Sequence, residues 1–207
     1  MFIAVSGNIG AGKSTLVTKL ANHYGCQALL ETVVDNPYLN DFYEDMTRWA
    51  FPLQIFFLNN RFRQGLSVAR SSSGTVLDRT IYEDAEIFAR NLYELGHLST
   101  RDYQNYRGIY VSMRDLLPPP DLVIYLKGSV ETLQNRITQR VVEATPSRKN
   151  EDKIPKAYLE QLNQRYEEWM ADFSLAPVLA VSIDTVDLNE ATAFYDLVTK
   201  IDSHLNQ

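Results

Sequence analysis

The sequence predicts an α/β fold in which a five-stranded parallel sheet carries helices on both faces. Three observations predict it. Five short apolar runs, each closed by a glycine or a charged residue, alternate with longer segments of helical spacing. These runs are continuously apolar, as strands buried on both faces are. A glycine-rich turn, Gly7 to Gly12, joins the first run directly to the first helix. Strands separated by helices require crossovers that lay the helices over a parallel sheet.

Phe2 to Ser6 is the first strand, and Ala11 to Tyr24 is a helix with Leu16, Val17 and Leu20 on its buried side. Gln27 to Leu30 is the second strand, followed by a long helical segment from Pro37 to Arg70. After the loop Ser71-Ser72-Ser73-Gly74, the third strand runs from Thr75 to Leu77 and into Asp78. Ile81 to Leu95 and Thr100 to Leu117 are helical, and Pro118-Pro119-Pro120-Asp121 breaks the chain before the fourth strand, Leu122 to Leu126. Val130 to Arg140 and Pro155 to Phe173 are helices, Val178 to Ile183 is the fifth strand, and Asn189 to Leu205 closes the chain. The polar stretch Val141 to Lys153, punctuated by Pro146, reads as a surface loop or as a functional lid.

The 207 residues, 45% apolar and 22% charged, form a single domain long enough to bury a sizeable core. Twenty lysines and arginines against 26 acidic residues give a net charge of −6, which argues against nucleic-acid polymers as partners. No apolar stretch approaches the roughly 18 residues of a membrane span. The chain reaches Phe2-Ile3-Ala4-Val5 at once, so no targeting segment is expected within it unless one has been removed, and Cys26 is the single cysteine. A lone thiol fits a reducing compartment, so a cytoplasmic location is expected.

Gly7-Asn8-Ile9-Gly10-Ala11-Gly12-Lys13-Ser14 matches GxxxxGK[ST] and stands between an apolar strand and a helix, as that motif requires. The glycines let backbone N–H groups wrap phosphates, and the helix amino terminus adds partial positive charge. Lys13 reaches the terminal phosphates and Ser14 offers an oxygen to magnesium. ATP or GTP binding follows, but not the identity of the acceptor. A GTPase would carry Asn-Lys-x-Asp after a strand; the nearest match, Thr199-Lys200-Ile201-Asp202, lacks the asparagine and falls in the last helix.

Glu31 follows the second strand and Asp78-Arg79 the third, on the carboxyl edge where open parallel sheets place their chemistry. Alone, Glu31 could be a solvated turn residue; with Asp78 and Arg79 it is a candidate base. Gln54 lies in the apolar run Phe51 to Leu58 and needs a polar partner, and Arg61, seven residues on, shares its helical face. By themselves Asp84 and Phe88 read as a helix-to-helix ion pair beside a core phenylalanine.

Gly7 to Thr15, Glu31 followed by Asn36-Pro37-Tyr38-Leu39, Tyr43 with Trp49, Gln54, and Asp78-Arg79-Thr80 occur in an order that resembles the deoxyribonucleoside kinases throughout. The stretch Asp78-Arg79-Thr80-Ile81-Tyr82-Glu83-Asp84 most resembles the bacterial deoxyadenosine and deoxyguanosine kinases. The resemblance implies a P-loop kinase fold with an arginine-containing lid, at about residues 140 to 153. Glu31 then takes the proton of the deoxyribose 5′-hydroxyl, Arg79 holds that hydroxyl and Glu31, and Asp78 with Ser14 holds magnesium. Gln54, Arg61 and Asp84 read the base, Phe88 stacks on it, and Tyr43 meets the 3′-hydroxyl and crowds a 2′-hydroxyl. Retaining Arg61 and Asp84 implies that thymidine is a poor substrate.

Arg136 and Arg140, four residues apart, match the lid arginines that grip transferring phosphate. The usual next arginine is replaced by Val142. Alignment backward from Ile154-Pro155 puts Arg148 in its place and Glu151 at the position that meets the sugar 3′-hydroxyl, with an insertion between. Thr32, Asn36 and Leu53 also depart from residues common in the family. The resulting expectation is transfer of the γ-phosphate of ATP, with Mg2+, to a purine deoxynucleoside, preferably deoxyadenosine, by a homodimer. Deoxyguanosine or deoxycytidine as the main substrate, a thymidylate-type nucleotide kinase, and a nucleotide-binding regulatory protein without transfer are the rivals.

Overall fold

The computed structural model describes residues 1–31, 36–143 and 153–205, with the side chains of 141–143 excepted. Five strands form one all-parallel sheet: β1 (Phe2–Gly7), β2 (Gln27–Leu29), β3 (Thr75–Asp78), β4 (Leu122–Lys127) and β5 (Val178–Ser182). Their spatial order is β2-β3-β1-β4-β5, with the reversal of winding at β1. Every residue of β1 is buried, which explains its unbroken apolar run. Successive side chains go to opposite faces. Ile3 and Val5 pack with Leu16, Val17 and Leu20 of α1 (Lys13–Tyr24) and with Leu197, Val198 and Ile201 of α9 (Ala191–Leu205). Phe2 and Ala4 pack with Val68 of α3 (Met46–Arg70) and against Met170 of α8 (Lys156–Asp172). The two faces are thus covered as expected.

The edge strands differ from the expected buried runs. Gln27 and Ala28 of β2 are exposed, and β5 is only half-buried, because each pairs on one side only. The helical segment expected over Pro37 to Arg70 is two helices, α2 (Leu39–Glu44) and α3. Asp45 separates them with extended backbone, and its carboxylate accepts the Arg48 N–H at 3.0 Å as the amino-terminal cap of α3. The segment expected over Ile81 to Leu95 comprises α4 (Ile81–Glu83), a π-helical turn at Asp84–Ala89 and α5 (Arg90–Glu94). α6 (Thr100–Arg114) and α7 (Val130–Glu143) complete the set, so the start of the expected lid is helical through residue 143. Among the described residues no helix is long and apolar enough to cross a membrane.

Candidate active site

The loop between β1 and α1 opens the site. Gly10 and Gly12 hold left-handed φ of 85° and 91°. A Cβ on Gly10 would come within 2.7 Å of the Leu133 carbonyl oxygen, so glycine is needed for space as well as for conformation. Gly12 caps α1 without a side chain across the helix amino terminus, leaving its N–H groups directed at the loop. Lys13 is buried, and its ammonium donates to the Asn8 carbonyl oxygen at 2.9 Å. Burial, aided by the positive charge of Arg79, lowers the Lys13 pKa to about 8. The Asn8 side-chain amide donates to the Leu159 carbonyl and to Asn163 Oδ1, tying the loop to α8, while its Oδ1 accepts the Ile9 N–H at 2.8 Å.

Ser14 Oγ donates to Asp78 Oδ2 at 2.5 Å, while the other Asp78 oxygen is buried with no hydrogen-bond partner among the described residues. A hydroxyl and a carboxylate with an orphaned oxygen are hard oxygen donors beside a phosphate loop, and they fit a magnesium ion. Arg79 follows at once, its backbone at φ 70°, the one positive φ outside glycine among the described residues. A non-glycine residue in this region costs roughly 1–3 kcal/mol and persists only where its surroundings over-determine it. The Arg79 guanidinium donates to Glu31 Oε1 at 3.0 Å and to the Gly7 carbonyl at 3.3 Å, with the Phe88 ring 4.5 Å from its central carbon.

Arg61 differs from its expected placement. Its Nη2 donates to the same Glu31 oxygen at 2.7 Å and its Nη1 to the Asp78 carbonyl at 2.7 Å, while Nε stands 3.4 Å from Asp84 Oδ2. The pair with Asp84 is present, but Glu31 and the end of β3 draw the guanidinium behind the cavity wall, so Arg61 is not among the lining residues. Burial raises the Asp84 pKa to about 7, against the opposing pull of Arg61.

A cavity of about 250 Å³ opens between the loop, α2, α3 and the π turn. Lys13, Ser14, Glu31 and Arg79 stand at its phosphate end; Gln54, Asp84 and Phe88 stand at the other. Tyr43 lines it from α2 and Gln54 from α3, so the two approach from different helices and not from the one segment expected over Pro37 to Arg70. The Gln54 Oε1 is buried and has no hydrogen-bond partner among the described residues. Leu39, Phe42, Leu53 and Phe57 supply apolar walls that spacing alone did not single out. A second cleft, on the other side of the loop, is bordered by Lys19, Arg136 and Val186 to Asn189. Gly10, Gly12, Thr15 and Arg140 line both spaces, so the two meet at the phosphate loop. Arg136 donates to the carbonyls of Ala11 and Ile183, bridging the loop to the end of β5. Arg148 and Glu151 lie outside the described residues, as does Thr32.

Sequence reasoning missed Glu83. It is fully buried and closes a capping box with Thr80, and the pattern Thr80-x-x-Glu83 was the available signal.

The arrangement brings a carboxylate, two guanidiniums and a buried lysine around one phosphate loop, with a partly apolar cavity beside it. A family model for deoxynucleoside kinase matches residues 3–206. The deoxyadenosine/deoxycytidine kinase of Bacillus subtilis is 40% identical, the alignment covering 99% of this chain and 94% of that one. The deoxyguanosine kinase of the same organism is 39% identical over 80% of this chain and 76% of its own. A deoxyadenosine kinase from M. mycoides, solved with bound dATP, superposes with a TM-score of 0.82 at 30% identity, covering 98% of this chain and all of that one. The chain belongs to the deoxynucleoside kinase family, and deoxynucleoside kinase is the activity that its fold, its phosphate loop and its relatives together support.

Proposed function

We propose that the protein transfers the γ-phosphate of ATP to the 5′-hydroxyl of a purine deoxynucleoside, with deoxyadenosine preferred. The observation that carries this reading is Glu31, held by Arg61 and Arg79 where a partly apolar cavity meets the phosphate loop. A primary alcohol needs a base within hydrogen-bond reach as it attacks, a contribution of about 10² to 10⁴ in rate. Glu31 is that base, and Arg79 holds it and the hydroxyl. Lys13, the backbone N–H groups from Gly7 to Thr15, Arg136 and Arg140 bind the triphosphate, with Arg148 joining them from the lid. A magnesium ion held by Ser14 and Asp78 would neutralise charge on the triphosphate.

Asp84 and Gln54 meet the base, Arg61 orients and charges Asp84 from behind, and Phe88 stacks on the ring. Tyr43 and Glu151 meet the 3′-hydroxyl. The preference for deoxyadenosine is supported by the stretch from Asp78 to Asp84 and by relatives with that name from Bacillus subtilis and Dictyostelium discoideum, the latter 39% identical. Deoxycytidine is the second reading, because the B. subtilis relative is named for both substrates and the M. mycoides kinase was also solved with dCMP. The protein works in the cytoplasm as a homodimer. The apolar groove of about 560 Å³ lined by Tyr38, Phe51, Ile55 and Phe56 on one side and Ile109 and Met113 of α6 on the other is the face a second copy covers.

Identification of the product tests the reading. Incubation with ATP, Mg2+ and deoxyadenosine should yield the 5′-monophosphate by phosphorus NMR, and 2′,5′-dideoxyadenosine, which lacks the attacking oxygen, should remain unphosphorylated. Phosphorylation at another position, or none, contradicts it.

A further inference from the structure

We propose that Glu83 is a positioning residue for Arg79, braced by the Tyr166 hydroxyl, and that this brace sets how tightly Arg79 holds Glu31. The inference rests on the reading of Glu31 as the base. Glu83 is 0% exposed, and donors converge on both of its oxygens. Oε1 accepts from Ser6 Oγ of β1 at 2.8 Å and from the Thr80 N–H at 3.1 Å. Oε2 accepts from the Tyr166 hydroxyl of α8 at 2.9 Å and faces Arg79 Nε at 3.6 Å.

The helix cap uses only Oε1. A capping glutamate needs neither complete burial nor a second oxygen fixed by a tyrosine from a helix 83 residues away in sequence. Tyr166 is itself immobilised: it is fully buried, stacked on Tyr125 with centroids 5.9 Å apart, and set edge-on to Phe88. Phe88 in turn lies against the Arg79 guanidinium. Arg79 therefore has Phe88 against its face, Glu83 behind it and Glu31 in front, around a strained backbone.

The chemical consequence concerns the base. Glu31 draws the guanidinium at Nη1 and Glu83 draws it at Nε, so the hold of Arg79 on Glu31 is set by the balance of the two attractions. With Glu83 in place, Arg79 orients Glu31 while leaving it able to accept the proton of the acceptor alcohol. Without that charge, nothing at Nε opposes the pull of Glu31, which already lies nearer at 3.0 Å, and the guanidinium follows it out of the geometry in which the hydroxyl is held.

The test compares Glu83→Gln, Tyr166→Phe, Arg79→Lys and the double variant Arg79→Lys with Glu83→Gln, in the whole protein with ATP, Mg2+ and deoxyadenosine. Glu83→Gln should lower kcat at least tenfold while the KM for ATP moves less than about threefold. Tyr166→Phe leaves the cap untouched and should lower kcat several-fold with the same split, which keeps the test intact if Glu83→Gln folds poorly. In the Arg79→Lys background, Glu83→Gln should cost less than a further twofold, because a residue acting through Arg79 has nothing left to act on. Normal kcat in both folded single variants, or full multiplication of the two losses in the double variant, overturns the inference. Glu31→Gln run alongside separates the levels: if it is inactive while Glu83→Gln is normal, only the brace fails, and if it keeps turnover, the base assignment and the brace fail together.

Discussion

Lys13 is the residue whose ionisation should change most on nucleotide binding. Burial lowers its pKa to about 8, so above that pH the free protein holds it largely neutral, while a triphosphate in the loop favours the ammonium. Binding at pH 9 should therefore take up close to one proton. Calorimetry of ATP binding in buffers of different ionisation enthalpy measures this directly, and Lys13→Met should abolish the uptake; binding without uptake in the unaltered protein would contradict the assignment. Asp84 offers a second test at this scale. With Arg61→Met and Asp84→Ala together, the polar end of the cavity loses its charges, so kcat/KM for deoxyadenosine should fall about 100-fold, within the 1–3 kcal/mol range of a lost buried polar contact per partner. Thymidine should gain relative to it. Retention of the purine preference in that variant would remove Arg61 and Asp84 from base recognition.

The elements were legible in the sequence to different degrees, and the differences have physical causes. β1, β3 and β4 are buried on both faces and read as unbroken apolar runs. The break between α2 and α3 was hidden because aromatic spacing runs through Phe42, Tyr43, Trp49 and Phe51 across it, while the signal at Asp45 is one capping carboxylate. Asp45→Ala should destabilise the protein by about 1 kcal/mol, the usual value of such a cap, read as a lower urea midpoint at unchanged slope. An unchanged midpoint would mean that packing alone sets the start of α3. The π turn at Asp84–Ala89 was equally hidden, since a one-residue widening leaves no mark on spacing, yet it brings Asp84 and Phe88 to the same cavity. Glu31, Arg79, Asp78 and the phosphate loop were legible because they sit at strand ends, where topology fixes position. Arg61 was only half legible: its helical face follows from spacing, but its choice among Glu31, the Asp78 carbonyl and Asp84 is made by three-dimensional charge balance.

For the whole molecule, the parallel sheet sets two spaces on either side of one loop, and Arg140 reaches both. This disposition suits a reaction between a bound nucleotide and a second bound molecule better than a switch that binds one nucleotide. The proposed homodimer would cover the groove between α3 and α6, where Ile109 is 38% exposed. Ile109→Glu should shift the mass measured by light scattering from about twice 23.7 kDa toward the single chain; a monomer before substitution would contradict the assignment. The central claim is tested most directly by ADP formation from ATP and Mg2+ with deoxyadenosine, deoxyguanosine, deoxycytidine and thymidine as acceptors, and with adenosine and deoxyadenosine monophosphate as controls. Turnover led by deoxyadenosine, with thymidine and both controls near background, is the predicted result. Turnover led by the monophosphate, or ATP binding with no turnover on any nucleoside, would contradict it.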